Sequence, residues 1–246
     1  MRLKAFIAGC ALSLLGLHAE AAQVQVAVAA NFTEPAKEIA GLFKQKTGND
    51  VLLSFGASGA FYTQITHDAP FQILLSADED RPKDAVANGF GVADSRFTYA
   101  IGKLALWSRV IDVTKGEDAL KKGAFAKLSI ANPKSAPYGA AAIEAMKALG
   151  VYDSLKPKIV QGNSIGQAFQ FVDTKNAEAG FVALSQLYRT SDGTRWVVPA
   201  NLYAPILQDA VLLRKGEDDD AAKAFLAFLK GPEARAIIER YGYGLP

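Results

Sequence analysis

The chain has 246 residues, with 27 Lys and Arg against 25 Asp and Glu, for a formal net charge of +2. A near-neutral chain without basic clusters has no electrostatic footprint for nucleic acid. Its length allows two modest hydrophobic cores.

Residues 1–22 read as a signal peptide. Arg2 and Lys4 form a basic start, residues 5–17 an apolar stretch, and Ala19-Glu20-Ala21 a small-residue cleavage site. The apolar run is too short for a good transmembrane helix, so export to the periplasm is expected. Ile7-Ala8-Gly9-Cys10 has lipobox character, but the apolar run continues past Cys10, which reads as a small residue of the leader. Beyond the leader there is no cysteine, which excludes disulfides and thiol catalysis.

Short β-branched or apolar runs then alternate with amphipathic patterns. Strands are predicted over 24–28, 51–55, 73–76, 104–107, 128–131, 159–160, 181–183, 196–198 and 206–213. Helices are predicted over 34–46, 60–67, 81–88, 140–149, 166–174, 218–229 and 233–241. In the first helix Ile39, Leu42 and Phe43 follow the 3.6-residue period. This alternation predicts an α/β protein with mostly parallel sheets covered by helices on both faces. Crossings near 99–104 and 203–207 divide it into a discontinuous first lobe (23–102 with 206–246) and a second lobe (103–205). A cleft between lobes, at the carboxyl ends of strands, is where such proteins bind ligands.

Four strand ends run through small or polar residues into helix starts, over 29–35, 54–59, 132–139 and 161–166. In the first, Asn31 or Thr33 is a candidate cap and Pro35 suits the first turn. A helix N-terminus exposes unpaired N–H groups and about half a positive charge. Several converging on one point make an anion site that needs no lysine or arginine. The same small residues also serve tight turns in any α/β sheet, so the pattern alone does not define a site.

Other chemistries fit less well. Ser58 lies in Gly56-Ala57-Ser58-Gly59-Ala60, close to a nucleophile elbow, but His67 sits about two and a half turns along the same helix, too far to act as its base. The carboxylate runs 78–80 and 217–220 lack calcium-loop spacing and precede predicted helices, where the macrodipole accounts for them. Residues 162–166 lack the Lys-Ser/Thr ending of a phosphate loop. Tyr203, Tyr241 and Tyr243 read as packing.

Several segments, in order along nearly the whole chain after the leader, resemble the molybdate-binding (ModA) family. They are Ala29-Ala30-Asn31-Phe32, Ser54-Phe55-Gly56-Ala57-Ser58-Gly59, Phe71 through Asp78, Asn132-Pro133 with Ala136-Pro137-Tyr138-Gly139, Asn163-Ser164-Ile165-Gly166-Gln167-Ala168, and Leu229-Lys230-Gly231-Pro232-Glu233-Ala234. The resemblance implies a type II periplasmic binding protein, acting as a monomer, that holds molybdate or tungstate in its interlobe cleft for an ABC transporter permease. It implies neither catalysis nor a cofactor. Carried over position by position, it implies oxyanion contacts from the side chains of Asn31 and Ser58 and from the backbone N–H groups of Tyr138 and Ile165. Ala30 is a further candidate; for the backbone donors side-chain identity should matter little. Many members place a tyrosine hydroxyl where this chain has Ala183, so a backbone group or the Asn31 amide must compensate. A site for another tetrahedral oxyanion such as sulfate, or a secreted sensor on the same scaffold, is the alternative. No Asp or Glu stands at the four principal contact positions, which favours unprotonated dianions over phosphate.

Overall fold

The computed structural model describes residues 23–246; the leader and Cys10 lie outside the described residues. Val24, Val26 and Val28 are fully buried along β1 (Gln23–Ala29). β1 pairs in parallel with β2 (Asp50–Gly56) on one side and β3 (Ile73–Leu75) on the other. Between them run α1 (Thr33–Thr47) and α2 (Ser58–Thr66); α3 (Asp80–Ala87) follows β3. β4 (Phe97–Gly102) ends this stretch, and after Lys103 the chain enters β5 (Leu104–Ser108) of a second sheet.

The second unit continues through α4 (Gly116–Lys122), β6 (Leu128–Ala131), α5 (Pro137–Ala148), α6 (Tyr152–Leu155) and β7 (Ile159–Gly162). It closes with α7 (Ile165–Asp173), β8 (Ala179–Ala183) and β9 (Thr194–Val197). β10 (Ile206–Leu212) then rejoins the first sheet, and α8 (Asp220–Lys230) and α9 (Pro232–Arg240) cover it.

Each sheet has five strands, ordered β2-β1-β3-β10-β4 and β7-β6-β8-β5-β9. The pairings put four strands of each sheet in one direction and reverse only β10 and β5, the first strand after each crossing between sheets. The chain is thus a two-lobed α/β protein with mostly parallel strands, whose carboxyl ends face the boundary between the sheets.

Helices cover both faces of each sheet. On the first, Phe32, Ile39 and Phe43 pack with Phe225, Leu229 and Ile238 on one side, and Phe61, Ile65 and Ala85 meet Leu74 and Val211 on the other. The Phe43 and Phe225 rings meet edge to face at 5.3 Å. Removing either ring should cost about 3–5 kcal/mol. On the second sheet, Ala142 and Met146 of α5 pack on Leu106 and Ile130, while Trp107 stacks on Phe169 of α7 at 4.9 Å. Apolar packing of the second sheet reaches Ala29, Ala30, Ala57 and Ala77 at the strand ends of the first, so the two units are in direct apolar contact there.

The structure adds β4, α4 and α6 to the elements expected from sequence. It also moves the helix starts that matter for the site. α2, α5 and α7 begin at Ser58, Pro137 and Ile165, one to three residues earlier than the apolar periodicity suggests. Pro137 occupies the first turn of α5, where its missing N–H costs nothing. Glycines let these helices approach the neighbouring backbone closely. A Cβ at Gly139 would collide with the Ala131 carbonyl, and one at Gly59 would lie 3.0 Å from Ser135 Cα.

Candidate functional site

Ala30, Asn31, Ser58, Tyr138 and Ile165 all line one small cavity, of about 10 Å³, between the sheets. Small residues complete the wall: Ala29, Gly56, Ala57, Ala77, Ala136 and Pro137. None of the lining residues is ionisable as acid or base below the tyrosine range, so any charge selectivity must come from dipoles.

Each loop delivers its donor by local means. After β1 the chain turns through a 3-10 segment, Ala30–Phe32, before α1. Contrary to the sequence expectation, neither Asn31 nor Thr33 caps this helix. Thr33 Oγ1 donates back to the Ala30 carbonyl at 2.9 Å, and no side chain caps either segment. The Asn31 amide is therefore free for other partners. At α2 no side chain caps the N-terminus, and Ser58, only 1% exposed, holds its Oγ as acceptor to the Ala77 N–H at 2.9 Å. At α5 the residue before Pro137 is Ala136, again without a side-chain cap. At α7 Ser164 caps the Gln167 N–H at 3.3 Å and leaves the earlier N–H of Ile165 unoccupied by it. Such first-turn N–H groups have no intrahelical partner.

A second layer of polar groups surrounds Asn31. Its Nδ2 donates to Gln208 Oε1 at 2.8 Å and to Tyr243 Oη at 3.0 Å. Gln208 Nε2 donates to Tyr138 Oη at 3.1 Å, and Tyr99 Oη lies 3.2 Å from Gln208 Oε1 and 3.1 Å from the Ser76 carbonyl. The Asn31 carbonyl accepts from Ser185 Oγ at 2.9 Å and from Tyr243 Oη at 2.8 Å. Burial raises the hydroxyl pKa of Tyr99, Tyr138 and Tyr243 above the usual phenol range, so all three remain protonated.

This layer joins the two sheets. Tyr138 on α5 and Ser185 after β8 belong to the second unit, while Asn31, Gln208 and Tyr243 belong to the first. Gly59 N–H donates to the Ser135 carbonyl at 2.9 Å and Arg81 reaches the Lys134 carbonyl at 3.3 Å, so the lobes are closed on one another.

Two sequence readings change. The Tyr138 side chain is not incidental: it is 1% exposed and its hydroxyl crosses to Gln208. Tyr243 is more than packing, because its hydroxyl holds Asn31, whereas the Tyr203 hydroxyl accepts the Leu104 N–H at 3.1 Å. The signal that could have revealed Gln208 is a polar pair, Gln208-Asp209, inside an otherwise apolar strand. Its neighbour Asp209 pairs with Arg96 and accepts from Thr98 Oγ1 at 2.7 Å. The remaining polar candidates have structural partners. His67 is the exposed C-cap of α2, Asp78 accepts the Arg81 N–H at 3.0 Å before α3, and Asp219 caps α8.

A larger groove of about 270 Å³ lies beside the cavity, but its lining sets Asp78, Glu79, Asp80 and Glu144 against Arg81, a carboxylate excess that disfavours an anion. The small cavity is the better anion site.

A family model described as bacterial extracellular solute-binding protein matches residues 24–244. The molybdate-binding protein ModA of Rhodobacter capsulatus is 57% identical over 93% of this chain and 91% of its own length. ModA of Azotobacter vinelandii is 54% identical, covering 94% of each chain. The chain belongs to the ModA family of bacterial extracellular solute-binding proteins. The structure of the Azotobacter vinelandii periplasmic molybdate-binding protein superposes with a TM-score of 0.87 at 40% identity, covering 91% of this chain and 99% of that one.

This ModA-family chain carries Ala183 where the sequence comparison with the family expected a tyrosine. Ala183 is fully buried and donates its N–H to Gln186 Oε1 at 2.9 Å; Gln186 Nε2 in turn donates to the Ile165 carbonyl at 3.2 Å. Gln186 thereby ties the end of β8 to the start of α7.

Proposed function

We propose that the chain binds molybdate, and tungstate with it, in the small cavity between its lobes and delivers the oxyanion to an ABC transporter permease. The observation that carries this reading is the meeting of Ala30, Asn31, Ser58, Tyr138 and Ile165 around one cavity without an ionised lining side chain. A molybdate dianion accepts hydrogen bonds and donates none. In this reading the Ser58 hydroxyl, the Asn31 amide and the N–H groups of Tyr138, Ile165 and Ala30 supply them. Each bond to a charged acceptor contributes about 1.5–3 kcal/mol, so four to six exceed the roughly 8 kcal/mol of micromolar binding.

The role is capture rather than catalysis: Ser58 has no base at hand, since His67 caps the far end of its helix. Among the described residues no helix is long and apolar enough to cross a membrane. It acts as a monomer whose lobes, 23–102 with 206–246 and 103–205, close on the anion and present a distinct closed surface to the permease. Elemental analysis of the exported protein, purified without added anion and then saturated with molybdate, should give one molybdenum per chain. The loss of that molybdenum in the double variant Ser58→Ala with Asn31→Ala, with the fold retained, locates it. Stoichiometric retention by the double variant would place the anion elsewhere.

A further inference from the structure

Asn31 Oδ1 is a buried side-chain oxygen without a hydrogen-bond partner, alone in this among the described residues. Both N–H groups of the same amide are committed, to Gln208 Oε1 at 2.8 Å and Tyr243 Oη at 3.0 Å. Asn31 lines the cavity, so the atom it has left for a ligand is an acceptor. An unprotonated oxyanion has nothing to donate to it. In this arrangement Asn31 repels the anion it should hold.

The same heavy-atom positions support a second arrangement. Half a turn of the Asn31 and Gln208 amides exchanges nitrogen and oxygen in each. Gln208 Nε2 then donates to Asn31 Oδ1, and the Tyr138 hydroxyl, which accepted before, donates to Gln208 Oε1. Tyr99 Oη accepts from Gln208 and keeps its proton on the Ser76 carbonyl. Tyr243 turns its proton to Asn31 Oδ1, while Ser185 Oγ supplies the Asn31 carbonyl. The orphaned oxygen is satisfied, and Asn31 Nδ2 gains a free N–H for the cavity.

We propose that Gln208 is a positioning residue for the anion site: its amide sense, passed through Asn31, decides whether the cavity offers a donor or an acceptor. The inference rests on the molybdate reading above. A bound dianion selects the sense in which donors run from the Tyr138 hydroxyl through Gln208 and Asn31 to the anion, each bond polarising the next. A protonated anion would need the opposite sense and would so lose the Asn31 donor. Because Tyr138 stands on the second unit and Gln208 on the first, the donor sense is complete only with the lobes closed. The fold leaves room for this pair at Gly102, where a Cβ would collide with both Tyr138 Oη and Gln208 Nε2.

Nitrogen-15 NMR of the mature protein, titrated with sodium molybdate alongside calorimetry, tests this. The Asn31 side-chain amide is assigned by its disappearance in Asn31→Ser. In the parent, molybdate should shift the Asn31 Nδ2 proton signals and slow their exchange with water. Gln208→Met, uncharged and of similar length, should bind about tenfold more weakly or worse and lack that shift. Gln208→Glu, whose oxygens only accept near neutral pH, should bind more weakly still and recover as its carboxyl protonates. Should Gln208→Met fail to fold, Tyr138→Phe cuts the relay at its far end with the ring retained, and should lose affinity severalfold. Molybdate binding by the parent with unmoved Asn31 amide signals would overturn the relay alone. Parent-like affinity in Gln208→Met or its stand-in Tyr138→Phe would do the same. A parent that shows no heat with molybdate would remove the proposed function along with it.

Discussion

Ser58 Oγ accepts the Ala77 N–H at 2.9 Å, which fixes the serine lone pair on the protein and leaves its proton for the cavity it lines. Ser58→Ala therefore has two consequences. Molybdate affinity should fall by about 1.5–3 kcal/mol, the range for a bond to a charged acceptor. The fold should also lose about 1–3 kcal/mol, because the Ala77 N–H is left buried without a partner. Calorimetric titration and urea unfolding of the one variant separate the two terms. A loss of affinity with unchanged stability would mean that another acceptor takes the Ala77 N–H.

Tyr138 and Ile165 should behave differently although both are assigned backbone roles. Tyr138→Ala empties a fully enclosed site and should destabilise by about 3–5 kcal/mol. Tyr138→Phe keeps the packing and removes only the bond to Gln208 Nε2 at 3.1 Å, so it should weaken binding severalfold at a cost of about 0.5–1.5 kcal/mol in stability. Ile165→Val should leave affinity within twofold and lower stability by about 0.5–1.5 kcal/mol. Equal affinity losses in Tyr138→Phe and Ile165→Val would remove the distinction.

Asp78 gives a pH dependence of unusual sign. Burial pushes its carboxyl pKa above the ordinary aspartate value, against the opposing pull of the Arg81 guanidinium 3.0 Å away. The folded chain then holds the proton more tightly than the unfolded chain, so this group adds stability as pH falls through its folded pKa. Relative to Asp78→Asn, the parent should gain stability as pH falls from neutral toward the ordinary carboxylate value of about 4. Unfolding curves of both proteins across that window check it; a parent that loses ground on acidification contradicts the assigned sign.

The interlobe bonds at Asn31–Ser185, Tyr138–Gln208 and Gly59–Ser135 describe a closed molecule. An anion that touches both lobes supplies the differential affinity needed to favour that state. Small-angle scattering of anion-free protein should therefore give a larger radius of gyration than protein saturated with molybdate. Identical profiles would mean that closure does not depend on the ligand.

The helical and strand periods made most of the fold legible, because Val24, Val26, Val28, Ile39 and Phe43 each repeat with the spacing of their element. β4 was hidden by its position: residues 97–102 look like a crossing segment until the antiparallel pairing with β10 shows why they are extended. α4 was hidden by composition, since of its apolar residues only Leu120 is buried. Ala30, Asn31, Ser58, Tyr138 and Ile165 were readable because each sits where a strand turns into a helix. Their supports were not. Gln208 and Tyr243 reach Asn31 across 177 and 212 residues of sequence, and no local pattern encodes such a contact. Capping was misread for the same reason. Asn31 is a good cap by residue type, but tertiary partners take its amide.

The account stands on a cavity that presents donors to an unprotonated tetrahedral dianion once Asn31 takes its donor sense, and one titration tests it most directly. Thermal unfolding of the mature protein is followed with molybdate, tungstate, sulfate and phosphate at matched ionic strength, since a ligand that binds only the folded state raises the melting temperature. Near neutral pH phosphate keeps a proton that an all-donor site leaves unpaired, at a cost of about 1–3 kcal/mol. Sulfate is smaller than molybdate and stretches bonds to a ring of donors sized for the larger ion. Molybdate and tungstate should raise the melting temperature well above sulfate, with no shift for phosphate. Phosphate or sulfate stabilising the protein as much as molybdate does would contradict the account.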